Sequence, residues 1–216
     1  ELARRLEGLT SRTVAYAWLR LEFPAGELLA AEHRYDSLPA SISDWCRWPS
    51  DARPFVDADG PAEAEAARFA RRQWGVGIDR LREWGVQFCT TGRHIYRLLL
   101  PVKLGGRLVA FQARSYRNAA PKYLTSRYGE VTDPYAECGR PARALLFGLD
   151  QLTPGCEVLL VEGPGDVLAV SAPARPCVAL MGVQLTPEKL ALLRGYMPGH
   201  IIVALDNEPQ AHYRGL

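Results

Sequence analysis

Acidic residues end two apolar runs in the carboxyl-terminal third of the sequence. The run "EVLLVEG" delivers Glu162 into a Gly-Pro-Gly turn, with Asp166 four residues later, and "HIIVALDNE" ends in Asp206 and Glu208. Such runs, alternating with helix-like segments, predict parallel strands whose carboxyl ends meet at one edge of a sheet. Carboxylate oxygens are the ligands that Mg²⁺ and Mn²⁺ prefer. The pattern therefore indicates a metal site formed by Glu162, Asp206 and Glu208.

Helix capping is the alternative explanation for each acid, because negatively charged side chains stabilise helix N-termini. For a single acid the cap is the preferred explanation. Acids at two separate strand ends favour metal binding instead. Gly163 and Gly182, at the ends of "EVLLVEG" and "PCVALMG", allow the backbone to come close to a ligand at the same edge.

Positive charge is concentrated in the residues that precede these strands. Residues 84–127 contain eight lysines and arginines and no aspartate or glutamate, although the whole chain has 26 basic and 24 acidic side chains. A solvated arginine face is the simpler explanation of such a block. The acid-rich segment that follows it favours a surface that binds a phosphate backbone beside bound cations.

Periodicity divides the chain into three parts and indicates an α/β fold. Residues 1–75 are predicted to form a helical lead-in with an irregular connector, including the helices "ELARRLEGL" and "AEAEAARFARRQWGV". Residues 76–150 are predicted to form a basic mixed α+β subdomain, with a hairpin at "LGG" and a short helix at "RALLFGLDQL". Residues 151–216 alternate strand and helix, which predicts a Rossmann-like parallel sheet with helices on both faces.

Several classes of protein are excluded by what the sequence lacks. No apolar run approaches the roughly 20 residues that a membrane span needs, and the first residues have no signal-peptide core, so we expect a cytoplasmic protein without a membrane partner. The five cysteines are scattered without a CxxC pair, which predicts reduced thiols rather than a disulfide framework or a zinc site. Walker A, GxGxxG and HExxH motifs are absent.

These motifs, in this order, resemble the catalytic core of DnaG-type DNA primases, which includes a TOPRIM domain. "VLLVEGPGDVLAV" is similar to the first TOPRIM motif, E-G-x-x-D after an apolar strand, and "HIIVALDNE" stands where the D-x-D motif follows a later strand. "RLLLPVKLGGRLVAFQARSY", "APKYLTS" and "ALLFGLDQL" are similar to consecutive upstream elements of that core. The resemblance runs from about residue 66 to the end, and the divergence of the sequence from that core favours a phage or mobile-element protein.

The resemblance implies a role for each acid. Glu162 matches the catalytic glutamate, which binds metal or acts in acid–base chemistry, and Asp206 and Glu208 match the metal ligands of D-x-D. Asp166 matches the acid that closes the first motif and supports the site from behind the ligands. Glu208 departs from the family pattern, because it replaces an aspartate with a side chain one methylene longer.

The resemblance also implies a substrate and partners. Basic residues of the upstream half would hold template or nucleotide phosphates: Arg97, Arg107, Arg114 and Lys122. The implied activity is synthesis of short RNA primers on single-stranded DNA by Mg²⁺- or Mn²⁺-dependent nucleotidyl transfer. The implied partners are the DNA template, NTPs and a replicative helicase or separate zinc-binding module, in a bacterial cell or phage-infected host.

Two other functions stay open at this point. One is a TOPRIM phosphoesterase or nuclease acting on nucleic acid, and the other is a non-catalytic nucleic-acid-binding module of a replisome. The basic half and "PKYLTS" favour the primase. Because the sequence ends soon after "LDNE", we expect a TOPRIM domain truncated at its carboxyl end, which is inactive alone.

Overall fold

The computed structural model describes residues 20–22, 45–56, 60–130, 132–141, 144–182, 184–196 and 198–205. The helix predicted at "ELARRLEGL" and the acids Asp206 and Glu208 lie outside these residues. Nine strands and four α-helices occur in the described part of the chain, and the strands form two sheets.

The first sheet is antiparallel and has the strand order β2-β3-β4-β5-β6. Its strands are β2 Ala52–Pro54, β3 Gln87–Cys89, β4 Arg97–Leu104, β5 Arg107–Ser115 and β6 Tyr123–Thr125. The predicted hairpin is confirmed, because β4 and β5 are joined by Gly105 and Gly106 with φ of 57° and 75°. Two successive residues with positive φ are typical of the tight turn that matches the twist of antiparallel strands.

The second sheet has the order β1-β9-β7-β8 and is parallel except at one edge. Its strands are β1 Arg20–Glu22, β7 Glu157–Val161, β8 Cys177–Ala179 and β9 His200–Ala204. The predicted parallel strands are confirmed, with β7 between β8 and β9. Strand β1 was not predicted, and it pairs antiparallel with the edge of β9. Pairing with an available sheet edge outweighs the weak local preference of three residues.

Four helices lie between and beside these strands. They are α1 Pro61–Trp74, α2 Ile78–Glu83, α3 Pro164–Val170 and α4 Pro187–Gly195. Three of them start with proline in the first turn, where the missing N–H is not needed. The hydroxyl of Thr186 accepts a hydrogen bond from the backbone N–H of Lys189 at 3.4 Å and caps α4. Helix α1 was predicted at "AEAEAARFARRQWGV", and α3 and α4 agree with the alternation of strand and helix predicted for residues 151–216.

The helix predicted at "RALLFGLDQL" is wrong. Phe147 instead forms a two-residue bridge with Ala179 of β8, with N–H to O distances of 3.0 and 2.9 Å in the two directions. Gly148 has a φ of 94°, and a Cβ atom there would lie 2.6 Å from the carbonyl oxygen of Cys177. Only a 3₁₀ turn follows, at Leu149–Gln151. A backbone that presses against β8 with positive φ cannot continue as an α-helix.

One buried hydrophobic cluster joins the two sheets. It includes Leu98 and Leu100 of β4, Val158 of β7 and Leu193 of α4, together with Phe147. The ring of Phe147 stacks on that of Trp84, with centroids 5.2 Å apart. The sheets therefore share a core, which fixes how the carboxyl ends of β7 and β8 face the first sheet. No described helix is long and apolar enough to cross a membrane.

Helix α1 packs against the start of α3 at a glycine. A Cβ atom at Gly165 would overlap the indole of Trp74, whose ring meets that of Phe69 edge-on with centroids 5.7 Å apart. The contact leaves no space for a side chain at position 165, so the spacing of these two helices depends on glycine.

Gly165→Ala is expected to lower the free energy of unfolding by about 1–3 kcal/mol, because the added methyl must displace the Trp74 ring. Urea unfolding measures the change. Gly195→Ala is the control, since a Cβ atom there meets no atom within 4 Å and alanine favours a helix. Equal stability of the two variants would show that the indole moves aside at no cost.

Candidate functional site

A cleft of about 340 Å³ lies where the carboxyl ends of β7 and β8 face strands β5 and β6. One wall is formed by the turn after β7 and by the residues after β8. The opposite wall is formed by the first sheet and the end of α1. Residues of both walls line it: Gln73, Trp74, Gln112, Arg114, Lys122, Tyr123, Glu162, Gly163, Pro164, Gly165, Asp166, Met181 and Gly182.

In the acidic wall, Glu162 directly follows β7, and Asp166 lies in the first turn of α3. Glu162 is half-buried, and Asp166 is exposed. The carboxylate of Asp166 accepts a hydrogen bond from the N–H of Gly163 at 3.1 Å. Asp166 therefore caps α3 while it lines the cleft. The helix-cap explanation of the acids holds for Asp166, whereas Glu162 precedes the cap residue Gly163.

The loop after β8 belongs to the same wall, and the buried ammonium group of Lys189 holds it. The Nζ atom of Lys189 donates hydrogen bonds to the carbonyl oxygens of Leu180 at 2.7 Å and Gln184 at 3.0 Å. Burial lowers the pKa of Lys189, and the charge of Glu188 opposes that shift. The ammonium group fixes the turn that contains Met181, with φ of 55°, and Gly182, with φ of 148°.

The basic wall places Arg114 and Lys122 opposite these acids. Arg114 is 5% exposed, and its guanidinium carbon lies 4.9 Å from the ring centroid of Tyr123 and 5.4 Å from that of Phe69. Burial lowers the pKa of Arg114, and Tyr123 opposes the shift. Lys122 is exposed, with its Nζ atom 5.8 Å from the Tyr123 ring centroid. The structure thus brings together six of the ten predicted site residues: Glu162, Gly163, Asp166, Gly182, Arg114 and Lys122.

Arg97 lies behind the basic wall and outside the lining of the cleft. It is 4% exposed, and its guanidinium donates hydrogen bonds to the carbonyl oxygens of Pro121 at 2.9 Å and of Ala113 and Lys122 at 3.4 Å. Burial lowers the pKa of Arg97, and the charges of Arg114 and Arg93 lower it further. Arg97 therefore holds the backbone from which Lys122 projects into the cleft.

The remaining predicted residues are not brought into the cleft. Arg107 is exposed at the start of β5, at the end of the strand away from Arg114. Asp206 and Glu208 lie outside the described residues, although the described part of β9 ends with Ala204 level with Val161 of β7. Among the described residues, no group of three or more His, Cys, Asp and Glu side chains could hold a metal ion. The metal site of Glu162, Asp206 and Glu208 stays a prediction.

The cleft also contains residues that sequence reasoning missed, notably Trp74, Gln112 and Tyr123. Gln112 carries a signal that could have found it, because it is a polar residue inside the apolar strand "RLVAFQARS" and lies two positions from Arg114. Residues two apart on a strand share a face, so both side chains point the same way. Trp74 lines the cleft because it packs against Gly165, and nothing in the sequence around Trp74 predicts that contact.

Arg97→Met is expected to lower the free energy of unfolding by about 2–3 kcal/mol, because three carbonyl oxygens lose their charged donor. Arg97→Lys restores only part of the loss, since a single ammonium group cannot reach all three in one geometry. Denaturant unfolding measures both, with Arg107→Met as the exposed control. Unchanged stability of Arg97→Met would contradict the structural role of this side chain.

Comparisons with known proteins agree with the resemblance indicated by the motifs. A family described as Toprim-like matches residues 159–211. The chain is 31% identical to the DNA primase of Synechocystis sp. over 138 residues, covering 61% of this chain and 20% of that protein. It is 32% identical to a DNA primase of Staphylococcus aureus over 104 residues, covering 45% and 16% of the two chains. The chain thus spans about a fifth of the length of these relatives or less.

Solved structures show the same fold. A structure of the DnaG primase catalytic domain bound to single-stranded DNA matches with a TM-score of 0.56 at 20% identity, covering 71% of this chain and 57% of that one. The E. coli primase catalytic core matches with a TM-score of 0.51 at 22% identity, covering 68% and 56%. The chain therefore carries a Toprim-like segment within a fold of the DnaG-type primase catalytic core.

Proposed function

We propose that this chain forms the catalytic core of a DNA primase, which joins nucleotides into RNA primers on a single-stranded DNA template. The observation that carries the proposal is the cleft in which Glu162 of the Toprim-like segment faces Arg114 and Lys122. Relatives named DNA primase support the reaction class, and each is matched over only part of its length.

Carboxylates on one wall suit a hard divalent cation. Glu162, Asp206 and Glu208 are proposed to hold Mg²⁺ or Mn²⁺ through their oxygens, with Asp166 supporting Gly163 at the turn. When bound, the cation would supply the charge that activates an attacking 3′-hydroxyl and stabilises the reacting phosphate. Glu162 stands at the strand end, where a rigid sheet fixes its backbone.

Cations on the other wall suit the phosphates of the substrates. Lys122 is exposed and is proposed to contact template or nucleotide phosphate, and the guanidinium of Arg114 is proposed to lie against a nucleotide phosphate in the cleft. Arg97 is proposed to act by holding the Lys122 backbone. Arg107, exposed on the hairpin side of β5, is proposed to lie on an outer part of the nucleic-acid path.

The division into residues 1–75, 76–150 and 151–216 is proposed to separate a lead-in, the basic subdomain and the TOPRIM domain. Single-stranded DNA and NTPs are the proposed ligands, and the similar DnaG structure that contains single-stranded DNA supports the first of these. A replicative helicase or a separate zinc-binding module is the proposed protein partner. The cytoplasm is the proposed location of this function, because it is where replication by such an enzyme would take place.

Glu162→Gln is expected to reduce template-directed incorporation of labelled NTPs by about 100-fold or more, because the amide keeps the shape and loses the charge of the carboxylate. The assay uses the complete protein with Mg²⁺ or Mn²⁺, and binding of single-stranded DNA is measured in parallel and expected to be unchanged. Glu157→Gln is the matched control, since Glu157 is exposed at the other end of the same strand.

Each other outcome of this assay identifies a different function. Cleavage of DNA that depends on Glu162, without NTP incorporation, would replace the primase by a TOPRIM nuclease. A Glu162→Gln protein equal to the wild type in both assays would leave a binding module without catalysis.

Lys122→Ala is expected to weaken single-stranded DNA binding and to reduce the slope of log K against log salt by about one, because one fewer phosphate is neutralised. Titrations at several salt concentrations measure the slope. Lys103→Ala is the control, since Lys103 lies near the hairpin end of β4, outside the cleft. An unchanged slope in the Lys122 variant would remove this residue from the phosphate path.

A further inference from the structure

Two buried polar side chains of β5 line the cleft, and each carries a buried atom without a hydrogen-bond partner among the described residues. Gln112 is 7% exposed and Arg114 is 5% exposed, and both line the cleft. Within the described residues, neither Gln112 Oε1 nor Arg114 Nε has a hydrogen-bond partner. Leaving a buried polar atom without a partner is destabilising, and most such groups in proteins are paired. These two atoms therefore point to a ligand.

The face of β5 that carries these side chains changes from core to cleft along the strand. Phe111 and Ala113 lie on the other face, in a separate buried cluster with Cys89 and Leu99. Ala110, Gln112 and Arg114 follow one another on the face toward the main core. An apolar side chain at position 112 would continue the row of core residues without burying an unpaired polar group. The amide stands instead at the point where the core ends and the cleft begins.

The two unpaired atoms require opposite kinds of hydrogen-bond partner. Oε1 of an amide accepts a hydrogen bond, whereas the Nε–H of arginine donates one. Their residues are two apart on a strand, so their Cα atoms are separated by about 7 Å. The ligand must offer an acceptor beside Arg114 and a donor beside Gln112. Inorganic phosphate groups supply the acceptor, while a nucleotide adds donors in its ribose hydroxyls and in the amino groups of its base.

The cleft also offers flat surfaces for a base. The rings of Trp74 and Tyr123 both line it, and Trp74 is held in place by Phe69 and by its contact with Gly165. Stacking of a base on an aromatic side chain stabilises nucleic-acid and nucleotide binding. Phosphate-binding, hydrogen-bonding and stacking groups therefore occur within one cleft of the size of a small ligand.

We propose that Gln112 is a specificity-determining residue that accepts a hydrogen bond from the nucleoside part of a nucleotide whose phosphate lies against Arg114. The donor is a ribose hydroxyl or a base amino group. The inference rests on the proposed function of the cleft and adds to it the residue that distinguishes a nucleotide from a bare phosphate chain.

The experiment compares Mg²⁺-dependent binding of ATP and of inorganic tripolyphosphate to the complete protein by calorimetry. Gln112→Met is expected to weaken ATP binding by about threefold to tenfold and to leave tripolyphosphate binding unchanged, since one neutral hydrogen bond is lost. Gln151→Leu is the control, because Gln151 is exposed and lies outside the cleft. Equal weakening of both ligands by Gln112→Met would overturn the inference.

A second variant protects the test against a protein that does not fold. Gln112→Glu keeps an accepting oxygen at the same place, so the ratio of ATP affinity to tripolyphosphate affinity is expected to stay as in the wild type, although the added negative charge weakens both. Thermal unfolding of each variant is measured first. Loss of the ratio in Gln112→Glu would show that the amide does not act as an acceptor and would overturn the inference.

Two ATP analogues identify the donor. 2′,3′-Dideoxy-ATP lacks the ribose hydroxyls, and purine riboside triphosphate lacks the base amino group. The wild type is expected to bind one of them about threefold to tenfold more weakly than ATP, and Gln112→Met is expected to lose that difference. If the wild type binds both analogues as tightly as ATP, the hydrogen bond does not exist.

Failure of this inference can be told from failure of the proposed function. Unchanged ATP binding by Gln112→Met, in a wild type that binds ATP with Mg²⁺ and incorporates NTPs, overturns the inference alone. A wild type that binds neither ATP nor tripolyphosphate and incorporates no NTPs overturns both.

Discussion

The buried segment at residues 145–149 determines how the two sheets face each other, and the cleft depends on that arrangement. The backbone of Phe147 is hydrogen-bonded to that of Ala179 in β8, and the ring of Phe147 stacks on that of Trp84. Leu145, Leu146 and Leu149 are fully buried around it. Because close-packed interiors resist small displacements, this connection keeps the strand ends of one sheet in a fixed relation to the basic strands of the other.

Opposite charges on the two walls follow from this arrangement and suit a ligand that is itself mixed in charge. A metal-bound phosphate of the kind proposed above would present its cation toward Glu162 and its oxygens toward Arg114 and Lys122. The arginines that precede the acidic segment in the sequence are not equivalent, however. Arg114 borders the cleft, and Arg97 supports the backbone of Lys122 from behind. Arg107 lies at the other end of β5 from Arg114. A basic block therefore contributes both to a surface and to the structure beneath it.

Much of the fold could be predicted from the sequence because the signals are local. The apolar runs predicted the parallel strands, and the glycines of "LGG" predicted the hairpin. The helix predicted across Phe147 and Gly148 was wrong because contacts with β8, distant in the sequence, outweigh helix propensity. Strand β1 was missed for a similar reason, since it exists only through pairing with β9.

The residues of the site likewise fall into those that a local sequence signal predicts and those that it does not. Glu162 and Gly163 could be placed because a strand end and a turn are visible in the sequence, and the roles of these residues remain predictions. The buried ammonium of Lys189 could not be anticipated, because its partners are carbonyl oxygens that only the folded loop brings together. Trp74 likewise enters the cleft through packing of one helix on another.

The contact between Trp74 and Gly165 has a consequence for how sequences of this kind can diverge. Neither position is free to change by itself, because any side chain at 165 needs a smaller group at 74 and a smaller group at 74 leaves space beside 165. The two positions should therefore be exchanged together. A homologue with a larger residue after the proline of its "EGP" turn is expected to carry a shorter side chain at the end of its first helix, and its cleft would have a different shape at that wall.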